Sequence, residues 1–120
     1  MPMIANVAVA IVAMLHLGFL ALEMFLWTRP VGQRVFGLPR EVMVSSAALA
    51  ANQGLYNGFI AAGLVWGLLA GSAGFAPKVF FLTCVVVAGV FGAATAKRSI
   101  LWVQGVPGAL ALLLVLLARA

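Results

Sequence analysis

The residues of this sequence that can do chemistry are a few polar side chains placed inside long apolar runs. His16 and Glu23 lie seven residues apart, a spacing that returns to almost the same face of an α-helix, and Trp27 lies four residues further along that face. A carboxyl group near an imidazole in apolar surroundings can exchange a proton or hold a cation. We therefore expect Glu23 to be the ionisable centre of a site, with His16 as its proton partner.

A second polar group occupies one short segment of the chain. Asn52 with Tyr56, and Gln53 with Asn57, are each one helical turn apart, so the four side chains together cover a broad face of a helix. Gln104 adds one more carboxamide in the last apolar run. Counted from the charged ends of these runs at ~1.5 Å per residue, these amides overlap in depth with the histidine and the acid.

Polar side chains inside apolar helices should face one another, because an unpaired charge at the centre of a bilayer costs roughly 3 kcal/mol. Two interpretations stay open. The side chains either form interhelical hydrogen bonds that only stabilise packing, or they line a pocket for a small amphipathic or lipid-like molecule. We favour the pocket, since packing alone rarely requires a glutamate. Its predicted ligand-binding residues are Glu23, His16, Trp27, Asn52, Gln53, Tyr56, Asn57 and Gln104.

The composition indicates which elements must position these residues. Of 120 residues, 66% are hydrophobic and 8% are charged, which is too apolar for the surface of a soluble domain. One helix needs roughly 20 apolar residues to cross a bilayer core, so four crossings nearly exhaust the chain. We expect an all-α membrane protein, a single domain over residues 1–120 with four transmembrane helices in an antiparallel bundle. The predicted helices cover about residues 4–27, 42–69, 77–96 and 100–118.

Basic residues are unevenly divided between the predicted loops. Two loops on one side carry five of the seven basic residues, and the other side carries two. The positive-inside rule then predicts a multi-pass protein of the cell inner (cytoplasmic) membrane with both termini outside the cytoplasm. Basic residues placed singly or in pairs at the ends of apolar runs do not form a nucleic-acid surface. The five are Arg29, Arg34, Arg40, Lys97 and Arg98, and the two are Lys78 and Arg119.

Small residues recur at a spacing of four along two of the predicted helices. Such stripes let helix backbones approach closely in lipid, where van der Waals contact must hold helices together. They favour packing within one bundle, with a homo-oligomer interface as the alternative. The stripes are Gly54 with Gly58, then Gly63, Gly67 and Gly71 on the second helix, and Ala88, Gly92 and Ala96 on the third.

Four stretches carry a resemblance to a known family. They are His16–Trp27 (HLGFLALEMFLW), Ala51–Gly67 (ANQGLYNGFIAAGLVWG), Val87–Thr95 (VAGVFGAAT) and Gln104–Leu113 (QGVPGALALL). They resemble a bacterial family of small four-helix membrane proteins known as domain of unknown function 1304. The likeness covers nearly the whole chain, and it implies the same helices and the same polar residues. The family often has tyrosine where Phe91 stands, so a polar group is missing from the third helix here.

Three functions are compatible with these observations. The first is binding of an amphipathic molecule at the pocket, where Glu23 and His16 would also be the candidates for proton transfer if the site were catalytic. The second is an oligomeric proton-coupled transporter of small molecules. The third is a structural or regulatory subunit of a larger membrane complex. One histidine and one distant cysteine make a poor ligand set, so we expect no metal and no other cofactor.

Overall fold

The computed structural model of the chain describes residues 2–119, and these residues form helices without a strand. The predicted all-α class is therefore confirmed. The helices are α1 (Pro2–Met24), α2 (Pro30–Phe36), α3 (Arg40–Ser45), α4 (Ala47–Leu69), α5 (Phe75–Thr95) and α6 (Val106–Ala118). A short 3₁₀ turn, Gly71–Gly74, precedes α5, and a π-helical turn, Leu101–Gly105, precedes α6.

Three helical segments are long and apolar enough to cross a membrane: Pro2–Met24, Gly71–Thr95 and Leu101–Ala118. Helix α4 has 23 residues, as many as α1, but it is not one of the three. Its first half contains Asn52, Gln53 and Asn57, which lower its hydropathy. The number of segments with clear membrane-spanning character is thus three rather than the predicted four.

The predicted second helix is interrupted at Ser46, which separates α3 from α4. The hydroxyl groups of Ser45 and Ser46 both donate hydrogen bonds to the carbonyl oxygen of Val42, at 3.1 and 2.6 Å. Serine hydroxyls compete with backbone N–H groups for helix carbonyls in this way, and such competition bends or ends helices.

The segment between the first two predicted helices, residues 28–41, contains helix α2, which was not predicted. Pro30 stands at the start of α2, where its missing N–H costs no hydrogen bond. Gly37 ends the helix with φ 67°, and its N–H donates to the carbonyl oxygen of Gln33. A glycine in this left-handed conformation is a common end signal for a helix.

The described residues form two compact units, and the single domain over residues 1–120 stays a prediction. One contains residues 2–14 and 60–119, and the other contains residues 15–59. The first unit has a core of small and branched apolar side chains, and in it α5 meets the π-helical turn where Gly89 approaches Gly105. The core residues are Ala5, Val9, Val12, Ala13, Leu64, Leu82, Val85, Ala111 and Val115.

The glycine stripe on α4 packs within the chain. A Cβ atom at Gly63 would clash with the ring of Phe81, and one at Gly67 would lie 2.7 Å from Cγ of Lys78, so this part of α4 packs closely against α5. Gly71 has φ 60° and makes the turn between the two helices. These contacts match the predicted packing role of the stripe, and the homo-oligomer interface stays a prediction.

Candidate functional site

The acid of α1 is paired with an amide of α4 inside the unit of residues 15–59. Nδ2 of Asn57 donates a hydrogen bond to Oε1 of Glu23 at 2.5 Å. Asn57 is buried, with 7% of its surface exposed, and Glu23 is half-buried. A hydrogen bond to a carboxylate is stronger than one between neutral groups, so this bond fixes the register of the two helices.

Two glycines of α4 bring the backbones close enough for this pair to form. A Cβ atom at Gly54 would lie 2.7 Å from Cγ of Met24 and 3.1 Å from Cβ of Glu23. A Cβ atom at Gly58 would lie 2.8 Å from Cδ1 of Leu20. The close approach that small residues permit between membrane helices therefore positions the site as well as the helices.

The hydrogen bond between Glu23 and Asn57 uses one of the two carboxyl oxygens. Within residues 2–119, this bond comes from Asn57 and reaches Oε1. The other oxygen, Oε2, is not a fully buried atom without a partner. This oxygen can accept a hydrogen bond from a hydroxyl or ammonium group.

The other polar residues of α4 spread from the buried pair to the exposed side of the helix. At about 100° of rotation per residue, Gln53 lies about 40° from Asn57, and Tyr56 and Asn52 lie further round. Asn52 and Gln53 are exposed, and Tyr56 is 51% exposed. The structure thus places these three side chains on the surface of the chain, and their predicted role in ligand binding stays a prediction.

His16 is buried two turns before Glu23. It is 1% exposed, and its ring lies edge-to-face with that of Phe19, at a centroid distance of 5.1 Å. Seven residues of helix separate it from Glu23 by about 10 Å along the axis. The structure pairs Glu23 with Asn57 instead, and the role of His16 as a proton partner stays a prediction.

Trp27 holds the end of α1 to the short helices that follow. Its Nε1 donates a hydrogen bond to Oγ of Ser46 at 3.2 Å, and its ring packs on Phe36 with centroids 4.6 Å apart. Next to it, the guanidinium group of Arg40 donates to the carbonyl oxygen of Thr28 at 2.6 Å. These partners could not be predicted from the sequence, since nothing in their types or spacing links them to Trp27.

Replacing Ser46 by alanine should lower the free energy of unfolding by about 1 kcal/mol, because the indole N–H of Trp27 loses its acceptor. Ser45→Ala is the matched control, since both serines donate to Val42 but Ser45 is exposed and does not contact Trp27. Unfolding in mixed micelles, followed by circular dichroism, measures both. Equal losses in the two variants would show that the tryptophan contact contributes nothing.

Gln104, the remaining predicted site residue, belongs to the other unit, where it is half-buried in the π-helical turn.

The unit of residues 2–14 and 60–119 also contains a polar pair that was not predicted from the sequence. Nζ of Lys78 donates a hydrogen bond to Oδ1 of Asn6 at 2.8 Å. The signal available in the sequence was a lone cation next to Pro77 and a lone amide near the start of the first apolar run. Within residues 2–119, no three histidine, cysteine or acidic side chains group as metal ligands do.

Three apolar helices of spanning length and an acid–amide pair between α1 and α4 define a small helical membrane protein. Residues 10–116 match the family described as protein of unknown function (DUF1304), and the chain belongs to that family. The resemblance noted in the sequence is thereby confirmed. The chain is also similar to the uncharacterized protein YpaA of Lactococcus lactis subsp. lactis (strain IL1403). The two are 31% identical over 94 residues, which cover 77% of this chain and 79% of that protein. No solved structure matches the chain.

Proposed function

We propose that this protein is an integral membrane protein that binds a small amphipathic or lipid-like molecule at the Glu23–Asn57 pair. One observation carries the proposal: Asn57 donates a hydrogen bond to Oε1 of Glu23, whose carboxyl group is half-buried and has a second oxygen to accept from a ligand. Packing of α1 against α4 requires only a hydrogen bond between them, and the amide of Asn57 already supplies one. A carboxylate with an open oxygen next to apolar surface is suited to a ligand whose polar head donates a hydrogen bond.

The ligand has a polar and an apolar part, since α4 offers surfaces for both. Gln53, about 40° from Asn57 around α4, is an exposed amide that can orient a polar head near the acid. Leu49, one turn before Gln53 on the same helix, is 76% exposed and can lie against an acyl or alkyl chain. Such a molecule would enter sideways from the bilayer, and the site would be a groove on the helix surface.

In the same proposal, α4 is the fourth membrane-crossing helix and joins the three apolar segments in a bundle. Its 23 residues extend about 35 Å, enough for a hydrocarbon core of about 30 Å. The two predicted cytoplasmic loops carry five basic residues, and the opposite side carries Lys78 and Arg119. This difference supports termini outside the cytoplasm, because cytoplasmic loops carry an excess of lysine and arginine.

Dodecylammonium is a suitable probe, since it combines a hydrogen-bond donor with a single alkyl chain. It should raise the unfolding midpoint of the wild-type protein in nonionic detergent, because a ligand at about 100 times its Kd adds about 2.7 kcal/mol. Glu23→Gln should lose this stabilisation. Glu41→Gln is the matched control, because Glu41 is the other acid of the chain and is exposed. A shift that is the same in Glu23→Gln and in the wild type would refute the proposal.

A second candidate function is oligomeric, proton-coupled transport of a small molecule. The exposure of Asn52, Gln53 and Tyr56 favours it, because lipid cannot satisfy amides and a second copy of the chain could cover them. Uptake into proteoliposomes that follows an imposed pH gradient and is lost in Glu23→Gln would support transport. Uptake of the same rate with and without the pH gradient would exclude proton-coupled transport. A role as a subunit of a larger complex stays a prediction.

A further inference from the structure

A buried cation lies in the unit formed by residues 2–14 and 60–119. Lys78, in the first turn of α5, is 3% exposed. Within residues 2–119, its Nζ donates a hydrogen bond to Asn6 of α1. The two acids of the chain are Glu23 and Glu41, and both belong to the other unit. Among residues 2–14 and 60–119, Lys78 therefore has an amide but no acidic side chain as a partner, although a buried ammonium group normally requires a counter-charge.

Close backbone packing builds the place where this side chain lies. A Cβ atom at Gly67 of α4 would lie 2.7 Å from Cγ and 3.2 Å from the backbone nitrogen of Lys78. Gly74 packs against the carbonyl oxygen of Gly67. The lysine stem thus passes over a glycine to reach Asn6, and its burial follows from the way α4 and α5 pack.

The helix ends nearest Lys78 contribute partial charges of both signs. Asn6 lies in the second turn of α1 and Lys78 in the first turn of α5, so both are near the positive ends of helices. Neither first turn contains an acid. The last turn of α4, near Gly67, contributes about half a negative charge, and the last turn of α6 in the same unit contributes a similar fraction. These partial charges are not the full counter-charge that an acidic side chain would supply.

Hydrogen-bond donors also outnumber acceptors at this pair. Oδ1 of Asn6 accepts from Lys78, which leaves the two N–H groups of the amide and two of the three ammonium N–H groups. A set of donors around a cation is complementary to the oxygens of an oxyanion. Asn6 is partly exposed, so an anion can approach from its side.

We propose that the Asn6–Lys78 pair is a binding site for a phosphate-type oxyanion. Its source is either free phosphate or the headgroup of an anionic lipid, since both present the same oxygens. The site is separate from Glu23 and does not depend on the function proposed for it.

Thermal unfolding of the full chain in nonionic detergent at constant ionic strength tests the site. One titration uses inorganic phosphate, and a second uses phosphatidylglycerol, with phosphatidylcholine as the headgroup control. Wild-type protein should show a saturable rise in unfolding midpoint. A response to inorganic phosphate would assign the site to the free anion, and a response to phosphatidylglycerol alone would assign it to the lipid. No response to either would overturn the proposal.

Two variants and a control decide whether the response belongs to this pair. Asn6→Asp places a carboxylate beside Lys78, so it should raise the midpoint without ligand and abolish the ligand-dependent rise. Lys78→Met should also abolish the rise. Lys97→Met, which removes an exposed cation, should keep it. If Lys78→Met does not fold, Asn6→Asp still decides, and a full ligand-dependent rise in Asn6→Asp would overturn the assignment.

Discussion

Replacing Gly89 by alanine should lower the free energy of unfolding by about 3 kcal/mol, the upper end of the usual cost of overpacking. The new methyl group would lie 2.5 Å from the backbone nitrogen of Gly105 and 3.2 Å from the carbonyl carbon of Gln104. A side chain can rotate away from such a clash, but backbone atoms of a packed helix cannot. The π-helical turn would have to separate from α5, and the core contacts near it would be lost.

Gly18→Ala is the matched control for this substitution. Gly18 also lies within a helix, but a Cβ atom there would meet nothing within 4 Å. Alanine should therefore be tolerated, with a gain of up to about 1 kcal/mol from helix propensity. Reversible unfolding in mixed micelles measures both variants. If Gly89→Ala were as stable as Gly18→Ala, the close approach of α5 and the π-helical turn would be wrong.

Replacing Asn57 by aspartate should be almost as damaging, although the side chain hardly changes in size. The new carboxylate would face Glu23 in place of a donor. Two carboxylates about 4 Å apart repel each other by about 4 kcal/mol at an effective dielectric constant of about 20. We expect a loss of roughly 3 kcal/mol in the free energy of unfolding, measured in the same micelles.

A double substitution separates charge repulsion from a general packing defect. Glu23→Gln combined with Asn57→Asp exchanges the acid and the amide, so a hydrogen bond of reversed direction can form and most of the stability should return. A double variant no more stable than Asn57→Asp alone would show that the two side chains do not interact.

Much of the helical framework follows from the sequence. Long apolar runs predict α1, α5 and α6, because they can be satisfied only in lipid or in a packed core, and proline or glycine marks several of their ends. The break at Ser46 could not be predicted, since hydropathy does not show that two hydroxyl groups compete for the carbonyl of Val42. Helix α2 was missed because a stretch with glycine and charges resembles a loop, although Pro30 and Gly37 are good end signals for a short helix.

The site was only partly predictable. Residue types in apolar helices identified Glu23 and Asn57 as members of one site, and the structure brings them together. Helical spacing shows which side chains share a face, but it does not show which face meets a neighbouring helix. The spacing therefore could not show that Asn52, Gln53 and Tyr56 lie on the exposed side of α4. The bond between Lys78 and Asn6 could not be predicted either, because the two residues are 72 positions apart in the chain.

The central claim is that Glu23 carries a ligand-accessible carboxyl group within the membrane, and a lipid-soluble carbodiimide tests it most directly. The chain has two acids, so peptide mass spectrometry of membranes treated with dicyclohexylcarbodiimide distinguishes them without further labelling. We expect modification of Glu23, protection of Glu23 by dodecylammonium, and little reaction at the exposed Glu41. Modification of Glu41 without Glu23, or modification of Glu23 that dodecylammonium does not reduce, would contradict the claim.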